Sequence, residues 1–184
     1  MECRPLRSEY PCQPMRWMKK LRRNTDTDGA VVHDLDVQDI CQLIPHRYPF
    51  LMVDRVLFVE PPHRARGVKN VSINEAHFQG HFPQKPVMPG VFIIEGMAQT
   101  AGVLVGVALG EDMRGKLVYF MNIESAKFRK PVVPGDQVLY DVRALMRRQR
   151  VWKIEAEATV GGVRVCEAVF AAMIVDGDTP DDEI

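Results

Sequence analysis

The chain has no excess of either charge: 24 Lys and Arg stand against 24 Asp and Glu. A general nucleic-acid binder presents a basic surface, so that class is excluded. Cysteine is scarce, with Cys3, Cys12, Cys41 and Cys166 and no Cys-x-x-Cys pair. Such usage argues against a disulfide scaffold and fits a reducing compartment. There is no internal repeat, no low-complexity tract and no secretory h-region ahead of the first structured stretch. Long apolar runs are missing too, with one exception.

The zero balance conceals a polarity. Residues 1–24 hold seven Arg and Lys against two Glu, and Asp176 to Ile184 hold five acids and no base. Residues 1–33 are expected to be a poorly ordered extension, with Met15 and Met18 as alternative starts. A transit-peptide reading of this basic stretch is weakened by Glu2, Glu9 and its prolines. Residues 34–176 are expected to form one domain and 177–184 a solvated acidic tail. A chain of 184 residues suffices for a single domain with a real core.

The exception is Val91 to Leu109, where only Glu95, Gln99 and Thr100 interrupt apolar residues and glycine. Pro89 and Gly90 precede it, and proline suits a first helical turn because its missing N–H would be unpaired there anyway. The pattern predicts a helix from near Gly90 to near Gly110. Apolar nearly all round, it should be enclosed. At 1.5 Å per residue it is roughly 28 Å long, close to a bilayer span. The acid, the amide, the glycines and the strand-like sequence that follows favour a buried helix wrapped by a sheet over a membrane span. Gly96, Ala98, Gly102 and Gly106 keep it thin. A carboxylate on such a helix costs several kcal/mol if charged and unpaired, which favours the proton-bearing form of Glu95. From that residue alone an acid that donates a proton, a structural ion pair and a solvent-facing first-turn Glu all stay open.

Elsewhere, Asp34 or Asp36 can cap a short helix through Ile44, with Val37, Ile40, Cys41 and Ile44 on one face, stopped by Pro45. Phe50 to Val59 reads as a strand and Arg64 to Ile73 as its partner. His46, bracketed by prolines, reads as a packing or capping residue. His77 and His81 are four apart, a metal-binding interval on a helix, but Gly80 and Pro83 oppose a helix and no third ligand lies nearby. After the polar loop Gly110 to Gly115, Val118 to Ile123 reads as a short strand. Three period-two strands follow, carrying Val138, Tyr140, Val142 and Ala144; then Trp152, Ile154, Ala156, Ala158 and Val160; then Cys166, Ala168, Phe170, Ala172 and Ile174. Gly161-Gly162 suits the hairpin turn between the last two. The sum is an α+β fold of five or six largely antiparallel strands curled round one helix, with one side left for a second copy.

Four blocks carry a resemblance: Leu43 to Val56 (Leu-Ile-Pro-His-Arg-Tyr-Pro-Phe-Leu-Met-Val-Asp-Arg-Val), Gly80 to Val91 (Gly-His-Phe-Pro-Gln-Lys-Pro-Val-Met-Pro-Gly-Val), Glu95 to Gln99 (Glu-Gly-Met-Ala-Gln) and Lys127 to Asp136 (Lys-Phe-Arg-Lys-Pro-Val-Val-Pro-Gly-Asp). In this order they resemble the FabZ-type β-hydroxyacyl-acyl carrier protein dehydratases of fatty acid synthesis, over about Asp36 to Val175. The resemblance implies a hot-dog fold, a homodimer or a trimer of dimers, and no cofactor or metal. It also implies a cytoplasmic enzyme acting on acyl chains carried by acyl carrier protein. By motif, His81 is the catalytic histidine and Glu95 the acid, meeting across a dimer interface, with the Val87 carbonyl orienting the His81 ring.

The chemistry suits those types. Neutral imidazole, with a pKa near ~6.5, can take the α-proton of a thioester. A carboxylic acid can protonate the departing β-hydroxyl, and the Gly90 amide at the helix start can face the thioester oxygen. Tyr119 matches an aromatic gate over the acyl tunnel, or is a plain core tyrosine. Gln99, one turn from Glu95, would orient it or touch substrate. Lys127, Arg129 and Lys130, with Arg147, Arg148 and Arg150, form a surface that could steer the carrier or simply be solvated. Glu rather than Asp at position 95 implies dehydration without double-bond isomerisation. The competing readings are a hot-dog thioesterase and a non-catalytic acyl-carrier binding module.

Overall fold

The computed structural model describes residues 18, 21–23, 30–110 and 116–176. Eight strands make one sheet: β1 (Leu21–Arg23), β2 (Ala30–Leu35), β3 (Arg55–Glu60), β4 (Arg64–Asn70), β5 (Lys116–Phe128), β6 (Gln137–Arg148), β7 (Val151–Val160) and β8 (Val163–Asp176). Their order is β1-β2-β3-β4-β6-β7-β8-β5, and every neighbouring pair is antiparallel. Two helices complete it, α1 (Val37–Leu43) and α2 (Gly90–Leu109), with a 3-10 turn at Ala76–Gln79. The sheet curls round α2, the hot-dog arrangement of an α+β fold.

The period-two reading of the late strands holds along most of their length; Ala144, Val160 and Ala172 are only half-buried, and Ala171 is buried out of phase. Val138, Tyr140 and Val142 on β6, Trp152, Ile154, Ala156 and Ala158 on β7, and Cys166, Ala168, Phe170 and Ile174 on β8 are all buried. They close over Ile93, Ile94, Met97 and Leu104 of α2 in one continuous core. Gly161 and Gly162 both have positive φ, +56° and +78°, as a tight hairpin turn requires. Burial raises the Cys166 thiol to about 11, so it packs as a small hydrophobe and not as a nucleophile.

Helix α2 fits under the sheet because it is thin where the sheet is closest. A side-chain carbon on Gly96 would collide with the ring of Tyr140, itself fully buried. On the other side Gly102 and Gly106 accommodate Ile44 and Leu43 from the end of α1. Helix α1 is too short to persist alone and is fixed by its start. Asp36 accepts bonds from the backbone N–H groups of Gln38 and Asp39, and the Asp39 carboxylate accepts the Asp36 N–H in return. Val37, expected on its buried face, is exposed, whereas Leu43 is inside.

Four expectations need correcting. Among the described residues the strand count is eight, not five or six, because Leu21–Arg23 and Ala30–Leu35 add two strands from the segment read as an extension. β2 crosses the expected boundary at 34 and pairs with β3; apart from Met18, the rest of 1–33 and the 177–184 tail lie outside the described residues. The early strand begins at Arg55, not Phe50, because the backbone of Phe50 and Met52 is engaged by a side chain of α2 instead of a strand. β5 runs thirteen residues, not six. Register shifts at Phe120/Asn122 and Ile123/Ser125 break its alternation, which hides its length from a periodicity reading.

Candidate functional site

His81 is delivered by the loop between β4 and α2. The loop starts from Lys69, 6% exposed, whose Nζ lies 3.6 Å from Asp54 and 3.3 Å from Glu75. Glu75 in turn accepts the Ser72 N–H at 2.8 Å, which shapes the turn into Ala76–Gln79. The His81 N–H donates to the His77 carbonyl (3.0 Å), and the Val87 N–H returns to the His81 carbonyl (3.1 Å). His77 packs its ring edge-on against Phe92 of α2, and burial lowers its pKa below the ordinary 6.5. The result is a closed loop with the imidazole at its rim.

The His81 Nδ1 is 2.7 Å from the Val87 carbonyl oxygen. A carbonyl only accepts, so the ring proton sits on Nδ1 and Nε2 keeps its lone pair. Beside it an open cavity is lined by Val87, Pro89, Gly90, Phe128, Arg129 and Lys130. Phe128 lies over Gly90 so closely that a side-chain carbon there would meet its ring. Helix α2 begins at Gly90 behind Pro89 without a side-chain cap; the Phe92 N–H donates to the Pro89 carbonyl at 2.9 Å, and Gly90 and Val91 line this cavity.

Glu95 is held differently. Its Oε1 accepts from Gln99 Nε2 at 2.8 Å and lies 3.5 Å from His46 Nε2. The Gln99 amide is itself fixed: its Oε1 accepts the Met52 N–H (2.7 Å) and its Nε2 also donates to the Phe50 carbonyl (2.7 Å). The side chain of Gln99 is fully buried, that of Glu95 13% exposed. Both face a cavity of about 350 Å³ that runs between α2, the end of α1 and the sheet. Its walls include Ala98, Val105, Val118, Phe120, Trp152 and Phe170, so it is overwhelmingly apolar. Tyr119, 39% exposed, stands on the same wall as Phe120.

The sequence-derived residues thus fall into two groups. Glu95, Gln99 and Tyr119 share one cavity; His81, Val87, Gly90, Arg129 and Lys130 share another. Lys127 belongs to neither: it lies 3.6 Å from Glu167, which also holds Arg129 at 2.6 Å. Arg147 stacks over Trp152 and Arg150 reaches Asp176, so those two face other elements. His46, read from sequence as a packing or capping residue, belongs to the Glu95 group. Its sequence signals are its place in the Leu43–Val56 block and the neighbouring Arg47, whose guanidinium donates to the carbonyls of Cys41, Ile44 and His46 and stiffens the turn. Phe128, which closes over Gly90 from the far end of β5, left no local signal. Among the described residues no three His, Cys, Asp or Glu side chains gather as a metal site would need.

Residues 44–169 match the FabA-like domain family. A protein of Paramagnetospirillum magneticum named 3-hydroxyacyl-[acyl-carrier-protein] dehydratase FabZ is 60% identical over 153 residues, 83% of this chain and 95% of that protein. Among solved structures, the dehydratase heterocomplex ApeI:P from Xenorhabdus doucetiae superposes with a TM-score of 0.65 at 18% identity, covering 74% of this chain and 91% of that one. A hot-dog-like protein from Thermanaerovibrio acidaminovorans gives 0.52 at 20% identity, covering 62% and 82%. At those identities the two structures speak for the fold alone.

Proposed function

Because the chain belongs to the FabZ family of 3-hydroxyacyl-acyl carrier protein dehydratases, we propose that it converts (3R)-3-hydroxyacyl-acyl carrier protein to the trans-2-enoyl product without moving the double bond. His81 Nε2 takes the α-proton, the C–H electron pair becomes the new C=C bond, and the β C–O bond breaks. Glu95 gives its proton to the departing oxygen, which leaves as water. Proton exchange then returns His81 and Glu95 to their starting forms. The Gly90 amide faces the thioester oxygen as charge gathers on it. The observation that carries this reading is the 2.7 Å contact of His81 Nδ1 with the Val87 carbonyl, since it leaves a lone pair, and not an N–H, at the cavity rim.

The two-cavity arrangement supports a homodimer whose sites each take His81 from one chain and Glu95 from the other. β5 is the sheet's edge, and Phe120, Met121, Ile123 and Phe128 along it are exposed, an apolar edge that a second copy would cover. A trimer of such dimers is the larger assembly proposed. Acyl carrier protein, an acidic partner in the cytoplasm, would dock where Lys130 and Arg129 border the His81 cavity, with Lys127 behind them. Helix α2 is long and apolar enough to cross a membrane, but most of it is buried inside the sheet, as a core helix is. The test is a coupled pair of readouts on purified protein with a 3-hydroxyacyl thioester on carrier protein. Enone absorbance should appear with no release of free thiol; thiol without enone would mean thioester hydrolysis, and neither would mean a binding module.

A further inference from the structure

We infer that His46 is a positioning residue: with Gln99 it holds Glu95 by the single oxygen Oε1, so that the proton given to the leaving hydroxyl is carried on Oε2. This rests on the dehydratase reading above and adds a residue and an atom to it.

The orientation of Gln99 leaves no choice of donor. Its Oε1 is occupied by the Met52 N–H, so the group facing Glu95 is the NH₂, which can only donate. A carboxyl oxygen that receives an N–H is the carbonyl-like one. His46 approaches the same oxygen, Nε2 to Oε1 3.5 Å, while its Nδ1 is buried with no partner among the described residues. A buried N–H without an acceptor costs more than a buried lone pair without a donor, so the ring proton belongs on Nε2, pointing at Oε1. At 3.5 Å this is a contact and not yet a hydrogen bond; such contacts tighten when substrate fills the site. Burial is the main influence on His46 and lowers its pKa below 6.5, so at neutral pH the ring is an uncharged donor and not a competing cation. The other titratable groups at this cavity are Tyr119 and Lys116 on β5. Arg47 turns its guanidinium back to the carbonyls of its own turn. Neither oxygen contact on Glu95 involves them, and among the described residues nothing claims Oε2, which is left for the substrate.

The experiment has two arms. In the first, nitrogen-15 histidine spectra of the full-length protein, with the His46 signals identified by their loss in His46→Gln, should show the Nε2–H tautomer. The Nδ1–H tautomer overturns the inference whether or not the protein turns over. In the second, His46→Phe should lower kcat about tenfold with KM changed less than twofold, and His46→Gln, which returns an N–H near the Nε2 position, should recover most of it. In a Glu95→Gln background, His46→Phe should change single-turnover rates less than twofold, because there is no longer a proton to place. If the two losses multiply instead, His46 acts on the fold or elsewhere in the site and the inference fails. Failure of the wild type to form enone would defeat the dehydratase reading separately, and the tautomer would still decide the His46 assignment. If His46→Phe does not fold, His46→Gln and the spectra carry the decision.

Discussion

Glu95 sits on a helix and is held side chain to side chain; His81 sits on a loop and is held by backbone. The acid's support is enclosed. A fully buried amide binds Glu95 and, in the same plane, the backbone of Phe50 and Met52. The base's support is a ring of main-chain bonds through His77, His81 and Val87 beside an open cavity. The difference follows from what each group does under the proposed chemistry. An acid that hands a proton to substrate benefits from fixed donors that hold its carboxyl in one orientation, and such donors are held most firmly in the interior. A base that must meet an incoming thioester needs a defined tautomer and access, and a carbonyl fixes the first without blocking the second.

The contrast makes the largest prediction. His81→Ala and Glu95→Gln should each lower dehydration by about two to four decades, the scale of general acid–base residues. Mixing the two inactive variants tests whether each site draws on two chains. Heterodimers would contain one intact His81–Glu95 pair and recover measurable enone formation, whereas no recovery would place both groups of a site in one chain. Smaller is the effect of Gln99→Leu. It strips Glu95 of its donor and leaves the buried Met52 N–H and Phe50 carbonyl unpaired, at about 1–3 kcal/mol for each group left so. Both melting temperature and kcat should fall. A loss of kcat with unchanged stability would mean that water replaces the amide.

A gentler pair of substitutions sharpens the same contrast. Gly96→Ala puts a carbon against Tyr140, whose ring is sealed in the core, whereas Gly90→Ala puts one against Phe128, a residue 54% exposed in the single chain. Overpacking a sealed site costs about 1–3 kcal/mol, and the gain in helix propensity recovers at most about 1. Gly96→Ala should therefore lower the thermal midpoint. Gly90→Ala should lower it less, because Phe128 lies on the β5 edge and not in the sealed core of one chain, and its ring can shift along that edge. Equal shifts in the two variants would erase the distinction between a closed acid side and an open base side.

Much of this was legible in the residues, and what was not has identifiable causes. The α2 boundaries could be read because a run of apolar residues between Pro89 and Gly110 admits few alternatives; Gly110 ends the helix with φ +58°. The three late strands could be read because alternation and burial are the same fact there. β5 was cut short because two bulges and an exposed edge remove alternation as a signal. Leu21–Arg23 is hidden by the basic residues around it, and Ala30–Leu35 by its shortness and by Asp26, Asp28, Asp34 and Asp36, which interrupt or flank it. At the site, the motifs single out His81 and Glu95 for the proposed chemistry, and the local contacts of each, His81 with Val87 and Glu95 with Gln99, lie within a few residues in sequence. The grouping of His46 with Glu95 is not local in this way, since it depends on α1 turning the chain back over α2, a contact across about fifty positions that no local pattern encodes.

The smallest effect predicted concerns acid stability, and it separates the interior histidines from the surface. Burial lowers the pKa of His46 and His77 below the ordinary 6.5. Between 6.5 and the lowered values the unfolded chain binds protons that the folded protein refuses, so stability is complete above 6.5 and declines as pH falls through that window. The outer carboxylates act lower. Hydrogen bonds from Arg64 and Arg129 hold Glu60 and Glu167 below the ordinary 4.5, so their contribution is present above 4.5 and is lost as pH falls further. Melting temperatures should accordingly dip in two stages. His46→Gln with His77→Gln should flatten the stage that begins near pH 6.5 and leave the lower one, and Glu167→Gln should do the reverse. A first stage that survives removal of both histidines would show that neither ring is kept neutral by the fold, and the enclosure argued for the acid side would lose its independent support.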